Sequence, residues 1–278
     1  MRRSGRRANL CRSEPERFRP NSAVLLGIGH ALAQYLIRKL EHYTRLSSEE
    51  KESLDALARL RTRRVRARDD IIHEGDVPQF INLVLDGWAC RYKTLEDGRR
   101  QIVAYLLPGD VCDIGAPILR EMDHSIGTIT AVTLAEIPLD AAEQLLMAHP
   151  RLMQALCWDA LTAASIQREW TVNVGQRTAF ERLGHLLCEL FVRMRVLGLT
   201  RGSSCDLPLT QAEIADTIGL SVVHVNRTLQ ELRSTGFITL GGRELTIHKL
   251  ESFERVVLFN QNYLHLSHEG RHLDADET

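Results

Sequence analysis

The 278-residue sequence predicts an α+β chain in three parts: an N-terminal β-roll or jelly roll, a long apolar helix, and a C-terminal winged helix-turn-helix. Three observations predict it. Between residues 61 and 138, short β-prone runs alternate with turn formers at roughly 8–12-residue spacing, the signature of a sandwich or roll. From 151 to 174 a helical pattern is apolar nearly all round. From 210 to 247, two capped helices precede two β-prone runs that flank Gly241-Gly242.

Taken in order, residues 1–35 read as a disordered basic arm, with seven arginines against two glutamates in the first 20 residues. The run AVLLGIGHALAQYLI has the outline of a leader, with Ala-x-Ala at 31–33. Its glycines and His30 break it, and no stretch reaches the ~18 apolar residues that cross a bilayer. A cytoplasmic protein with no membrane partner is therefore expected. Residues 36–148 form the β-roll domain. Two short helices lead it up to residue 60, the second capped by Ser47 with Glu50 three positions on. Turns follow at Asp86-Gly87, Asp97-Gly98 and Pro108-Gly109-Asp110, and WACRYKTL-EDG-RRQIVAYL reads as a hairpin. Asp140 is expected to cap AAEQLLMAH, and Pro150 to open the long helix of 149–175. An all-apolar helix is buried on more than one side, either in its own chain or also against a symmetry mate. Residues 176–250 make the winged module, beginning with a helix over 177–197 and a loop over 198–206. Residues 251–278 read as a C-terminal helix and a flexible acidic tail.

The winged module carries the most specific pattern. Thr210 and Glu213 make a capping box for one helix, and Ser221 caps the next. Ala215 lets the two helices approach, Gly219 supplies a left-handed turn, and Val225 packs back beside Ile214 and Leu220. In this motif the second helix enters the DNA major groove and leads with its N-terminal residues. Ser221, Val222, Val223, His224, Asn226, Arg227 and Gln230 are thus candidate base readers, with Arg227 suited to guanine and Asn226 to adenine. Thr210 and Gln211, at a helix start, suit a phosphate. The net charge is −1, and residues 177–249 hold nine Lys/Arg against seven Asp/Glu, so binding must rest on placement and not on a broad positive field.

A β-roll, a long apolar helix and a winged helix in this order resemble the Crp/Fnr family of bacterial transcription regulators, over about residues 36–250. DIIHEGD (70–76), LVLDGWACRY (83–92) and LLPGDVCDIG (106–115) look like its β-roll signatures, and LTQAEIADTIGLSVVHVNRTLQELRSTGFI (209–238) like its DNA-binding signature. The resemblance implies a sensor domain in the β-roll, a homodimer formed along the long helix, a two-fold symmetric double-stranded DNA operator, and RNA polymerase as a partner. The dimer contacts are then expected at Met153, Leu156, Ala160, Ala163 and Ala164, and an effector pocket at Cys112, Asp113, Ile114, His124 and Ser125. Cyclic-nucleotide-binding members carry Gly-Glu and, about ten residues on, Arg-Ser; here Ile114 and His124-Ser125 stand near those positions. A neutral His replaces a bidentate Arg poorly, so cAMP binding is not expected. An iron–sulfur centre is not expected either, because only Cys11 lies near the N-terminus. His73, Cys90, Cys112 and His124 lack a spacing diagnostic of haem; a cAMP-responsive, redox-sensing or haem-sensing member remains the alternative reading. Val222-Val223 stand where the family usually has Arg-Glu, which implies a different operator.

The six cysteines are scattered, with no CxxC, and read as reduced core residues. No metal is expected. HEGRH (268–272) fits H-E-x-x-H, but Gly270 sits inside it and only a short tail follows, so no zinc enzyme is expected. A cupin would need a second histidine beside His73. A dimeric interaction module that binds no DNA is the other remaining class.

Overall fold

The computed structural model describes residues 32–278 apart from 116, 117, 119, 268–271, 273 and 275–278. The basic arm over 1–31, the greater part of HEGRH and most of the acidic tail lie outside the described residues. Residues 32–35, expected to belong to the arm, instead open the folded unit. Helix α1 spans Gln34–Leu40, and Ala33, Leu36, Ile37 and Leu40 are buried. Helix α2, Ser48–Arg59, starts with the Ser47–Glu50 capping box.

Seven strands then form two antiparallel sheets: β1 (Thr62–Val65), β2 (Asp70–Ile72), β3 (Phe80–Asp86), β4 (Ala89–Thr94), β5 (Arg100–Leu106), β6 (Ser125–Thr128) and β7 (Val132–Pro138). The sheet orders are β1-β7-β3 and β2-β6-β4-β5, with Val84, Ala89, Leu106, Ile126 and Leu134 among the apolar residues buried with them. This is the roll that the alternation of short strands and turns predicts. At Gly109 (φ +90°) a Cβ would lie 2.6 Å from the Tyr35 carbonyl carbon, so only glycine lets the Pro108-Gly109-Asp110 turn press against α1.

Helix α3 is Leu139–Ala148, and Asp140 lies in its first turn without capping it; Pro138 occupies the cap position. The strand β7 runs directly into the helix, which leaves no free extended residue for Asp140 to cap from. Pro150 is the first residue of α4, Pro150–Gln176. Helix α5, Ala179–Val196, folds back along α4 and buries eleven of its residues. The expected loop over 198–206 is a small hairpin, β8 (Thr200–Arg201) and β9 (Ser204–Asp206). It pairs with the wing strands β10 (Ile238–Gly241) and β11 (Glu244–Ile247), giving a sheet ordered β10-β11-β9-β8. The wing turn lies one residue later than the sequence suggests: Gly241 pairs with Glu244, and Gly242 and Arg243 turn at φ +58° and +65°. Helix α6 is Gln211–Ile218, α7 is Val222–Ser234 and α8 is Leu250–Val256. Beyond α8, residues 257–266 are not a free tail. Val257, Phe259, Tyr263 and Leu264 are buried, and the segment straps α4 to α5.

The seam under this strap is polar. Glu189, fully buried, accepts from Trp170 Nε1 and Tyr263 Oη, both at 2.9 Å. His185 lies between Phe259 and Tyr263 with ring centroids 5.0 and 5.9 Å away, and neither ring nitrogen has a hydrogen bond. Burial, with Arg177 repelling the charged form, pushes its imidazole down to about 3. Glu169, 3.4 Å away, does not reverse this because its carboxylate is already committed to Arg177. The folded state therefore binds fewer protons than the unfolded chain below pH ~6.5, and stability falls with acidification by up to ~1.4 kcal/mol per pH unit through that group. His185→Phe keeps the stacking and should remove this part of the slope, read as the difference in urea unfolding between pH 7 and 5.5. Unchanged slopes in wild type and variant would show that His185 is charged or solvated. Glu189, raised by its burial, contributes with the opposite sign, which is why the comparison is between variants.

Candidate nucleic-acid interface

The two helices of the motif are set by local chemistry. Thr210 accepts from Glu213 N at 3.2 Å, and Glu213 Oε2 accepts from Thr210 N at 2.6 Å. Gly219 ends α6 in the left-handed region (φ +67°). Ser221 Oγ then accepts from His224 N at 3.3 Å, opening α7. Val225, Leu229 and Leu232 are buried on the inner face of α7, together with Ile214, Ala215 and Ile218 of α6.

The outer face of α7 gathers Val222, Val223, Asn226, Arg227 and Gln230 at helical spacing, with Ser221 and His224 beside them. Val223 is 73% exposed and Val222 46%. For a valine pair at a helix start that is a large apolar exposure. The amides are not independent. Asn226 Nδ2 donates to Gln211 Oε1 and Gln230 Nε2 donates to Asn226 Oδ1, both at 3.1 Å. Asn226 is thus held between the start of α6 and the next turn of α7. Arg227 is exposed and makes no hydrogen bond or ion pair among the described residues. Behind this face, Arg233 Nη2 donates to Leu240 O at 2.9 Å, tying α7 to the wing. Arg201 bridges Asp206 (2.7 Å) and Glu244 (3.0 Å) across the wing sheet.

The motif also docks on the β-roll, a contact that no local pattern announces. Tyr105 of β5, 1% exposed, places its hydroxyl 2.6 Å from Thr217 Oγ1 and 3.3 Å from Glu213 O. Gln101 Nε2 donates to Thr217 O at 2.8 Å, and Arg100 Nε pairs with Asp216 Oδ2 at 2.9 Å. Trp88, Cys90, Ile102 and Tyr105 join the same buried cluster as α5, α6 and α7. Burial raises the Tyr105 phenol well above its ordinary value, so it stays a donor. A double-mutant cycle of Tyr105→Phe and Thr217→Val, read by urea unfolding, should give a coupling of about 0.5–1.5 kcal/mol. A coupling of zero would mean that the two modules are undocked in solution.

Among the described residues, those expected at an effector pocket are engaged in contacts of their own. Cys112 is fully buried, and Asp113 Oδ1 and Oδ2 accept from Asn82 N (2.8 Å) and Nδ2 (2.9 Å). His124 Nδ1 lies 2.6 Å from Asp123, and Ser125 Oγ accepts from Glu74 N at 3.0 Å. Ile114 is half-buried and packs beside Leu85 and Val111. Arg91 fills the neighbouring space, donating Nε and Nη2 to Cys112 O and Val111 O, each at 3.1 Å. Burial raises the Cys112 thiol well above its usual value, the opposite of a reactive thiolate.

Along α4, Met153 (44% exposed), Cys157, Leu161 (60%), Ala164 and Val172 (46%) make one exposed stripe. Ala160 borders it, half-buried. Leu156 and Ala163 turn inward instead, Leu156 onto the helical cluster over the β-roll and Ala163 onto a cavity beside β5. Cys157 and Leu161 were not distinguishable in a helix that reads as apolar all round.

Residues 181–256 match the family model of the Crp-like helix-turn-helix domain, and 62–149 match the cyclic nucleotide-binding domain. The transcriptional activator protein FnrL of Cereibacter sphaeroides is 30% identical over 221 residues, 78% of this chain and 88% of that protein. The nitrogen fixation regulation protein FixK of Bradyrhizobium diazoefficiens is 29% identical over 226 residues, 80% of this chain and 92% of that one. The solved structure of FixK2 from Bradyrhizobium japonicum shares the fold at a TM-score of 0.63 and 23% identity, over 70% of this chain and 96% of that chain. With both modules matched in order and a relative similar along nearly its whole length, the chain belongs to the Crp/Fnr family of transcription regulators.

Proposed function

We propose that this regulator acts as a homodimer that reads a two-fold symmetric operator through α7, and that its β-roll takes no cyclic nucleotide. The observation that carries the reading is the outer face of α7, where exposed Val222, Val223, Arg227 and Gln230 and half-buried Asn226 stand at helical spacing on a helix whose other face is locked in the core. Thr210 and Gln211 at the start of α6 serve as phosphate contacts. Val222 and Val223 favour a thymine-containing half-site, different from one read by an Arg-Glu pair. The exposed stripe on α4 is the dimer seam, and a two-fold axis there sets the two α7 helices about one DNA turn apart, ~34 Å. The activator names of relatives support activation, with RNA polymerase as the partner.

Against a cyclic nucleotide stand the residues of the β-roll themselves. The Arg91 guanidinium is held on two backbone carbonyls, Asp113 is closed onto Asn82, and Lys93, the cation that reaches the Asp123 carbonyl beside His124, is already shared with Glu74. Duplexes selected from a random pool should carry inverted repeats centred one turn apart. Affinity should fall steeply between 50 and 200 mM salt, as ~6–10 phosphate contacts would require, and should not change on adding cAMP. Failure to bind any duplex would overturn the DNA reading, and a cAMP-dependent gain would overturn the second half alone.

A further inference from the structure

Asn226 is the middle member of a chain of three side-chain amides that crosses the helix-turn-helix. Its Nδ2 donates to Gln211 Oε1, and its Oδ1 accepts from Gln230 Nε2, each at 3.1 Å. Gln211 is the first residue of α6, and Asn226 and Gln230 lie one turn apart on α7. Gln211 and Asn226 are half-buried and Gln230 is exposed. The chain thus runs from the proposed phosphate contact to the proposed base-reading face.

A primary amide has two N–H donors and two acceptor lone pairs. Asn226 has committed one of each and keeps one N–H and one lone pair. That is the pair adenine takes, at N7 and N6. The amide must lie the right way round for this, because exchanging its oxygen and nitrogen exchanges acceptor and donor. Asn226 alone does not set the direction: a chain of three amides is equally satisfied when all three are turned over. The two ends set it. Gln211 uses Oε1 on Asn226 and leaves Nε2 without a hydrogen bond among the described residues. A phosphate oxygen only accepts, so a phosphate at the start of α6 takes Nε2 and repels the reversed chain, in which Oε1 would face it. At the other end Gln230 must donate through Nε2 to keep Asn226 Oδ1 engaged.

We propose that Gln211 and Gln230 are positioning residues that fix the direction of the Asn226 amide, so that backbone docking at α6 and adenine reading by α7 are one coupled event. The inference rests on α7 being the DNA-reading helix. Neither glutamine has to touch the adenine. Because Asn226 is held before the DNA arrives, binding does not have to order a free rotamer, which for one side chain amounts to roughly two- to tenfold in affinity.

The test is a titration of the full chain with the selected operator and with duplexes in which each half-site base pair is replaced in turn. Asn226→Ala identifies the pair at which preference is lost. Gln211→Leu should lower the preference at that same pair about three- to tenfold, beyond any loss that is equal on all duplexes. Two conservative variants test the direction. Gln211→Glu keeps an acceptor for Asn226 Nδ2 but sets an anion against the phosphate, so it should weaken every duplex and retain the preference. Gln230→Glu cannot donate to Asn226 Oδ1, so it should lose the preference as far as Gln211→Leu does. A merely structural role for either glutamine would weaken all duplexes alike and leave the preference in place. Should Gln211→Leu lower the thermal midpoint, Gln230→Glu, at an exposed position, is the deciding variant. An unchanged preference in Gln211→Leu or Gln230→Glu, a preference lost equally in both glutamate variants, or an Asn226→Ala protein that relaxes no base pair would each overturn this proposal alone. A wild-type protein that binds no duplex overturns the operator reading and this proposal with it.

Discussion

Leu161→Glu should turn the protein into a monomer and cost it at least about 100-fold in affinity for a two-fold symmetric duplex. Leu161 is 60% exposed in the single chain, so the change places a solvated carboxylate on a helix surface and leaves the fold within about 0.5 kcal/mol of wild type. In the proposed dimer the same position meets its symmetry mate. Two carboxylates would then face each other where an apolar seam excludes water, a juxtaposition that costs several kcal/mol. A monomer keeps one recognition helix and only the contacts of one half-site. Sedimentation measures the assembly and a duplex titration the affinity. Cys157, four residues from Leu161 and on the same stripe, reports the geometry directly. It is the exposed one among the described free cysteines. Mild oxidation should link the wild-type dimer, and Cys157→Ser or Leu161→Glu should abolish the link. A Leu161→Glu protein that sediments as a dimer would move the interface off α4.

What was legible in the sequence was local. The capping boxes at Thr210 and Ser47, the cap at Ser221, the left-handed Gly219 and the proline at position 150 each act within four residues of themselves, and each is where the spacing places it. The β-roll strands were legible because alternation and turns are also short-range. The losses are contacts between distant residues. Strands β8 and β9 hold two and three residues, and β9 gains its partner from β11, some 40 positions later. The docking of Tyr105 on Thr217 joins residues 112 apart. Likewise, an apolar helix does not say which of its sides meets its own chain. One position is about 100° of rotation, enough to separate Leu156, which is packed inside, from Cys157 on the exposed stripe. Asn226 shows the same limit on a smaller scale. Its amide reads as a free adenine contact in sequence, yet it is engaged at both ends by Gln211 and Gln230. Any base contact it makes must exchange one of these bonds or use the lone pair or proton left over.

That difference makes Arg227 the sharper probe of base reading. Its guanidinium has no protein partner among the described residues, so Arg227→Ala removes no contact from the folded chain. We expect a loss of ~1–3 kcal/mol per half-site, roughly 5- to 150-fold, with relaxed preference at one base pair of each half-site. The salt dependence decides between the two roles an exposed arginine can play. A phosphate contact carries about 0.9 units of slope in log affinity against log salt, and its loss is the same on every sequence. A guanine contact carries sequence preference and depends on the planar fork with two parallel donors, which lysine lacks. Arg227→Lys therefore separates them. If Arg227 reads a base, the lysine variant should behave nearly as poorly as alanine on the selected duplex and lose the preference at that position. If lysine restores binding, or if alanine weakens all duplexes equally while lowering the slope by about one unit per contact, Arg227 grips the backbone. The specificity of α7 would then rest on Val222, Val223 and the amide chain behind them.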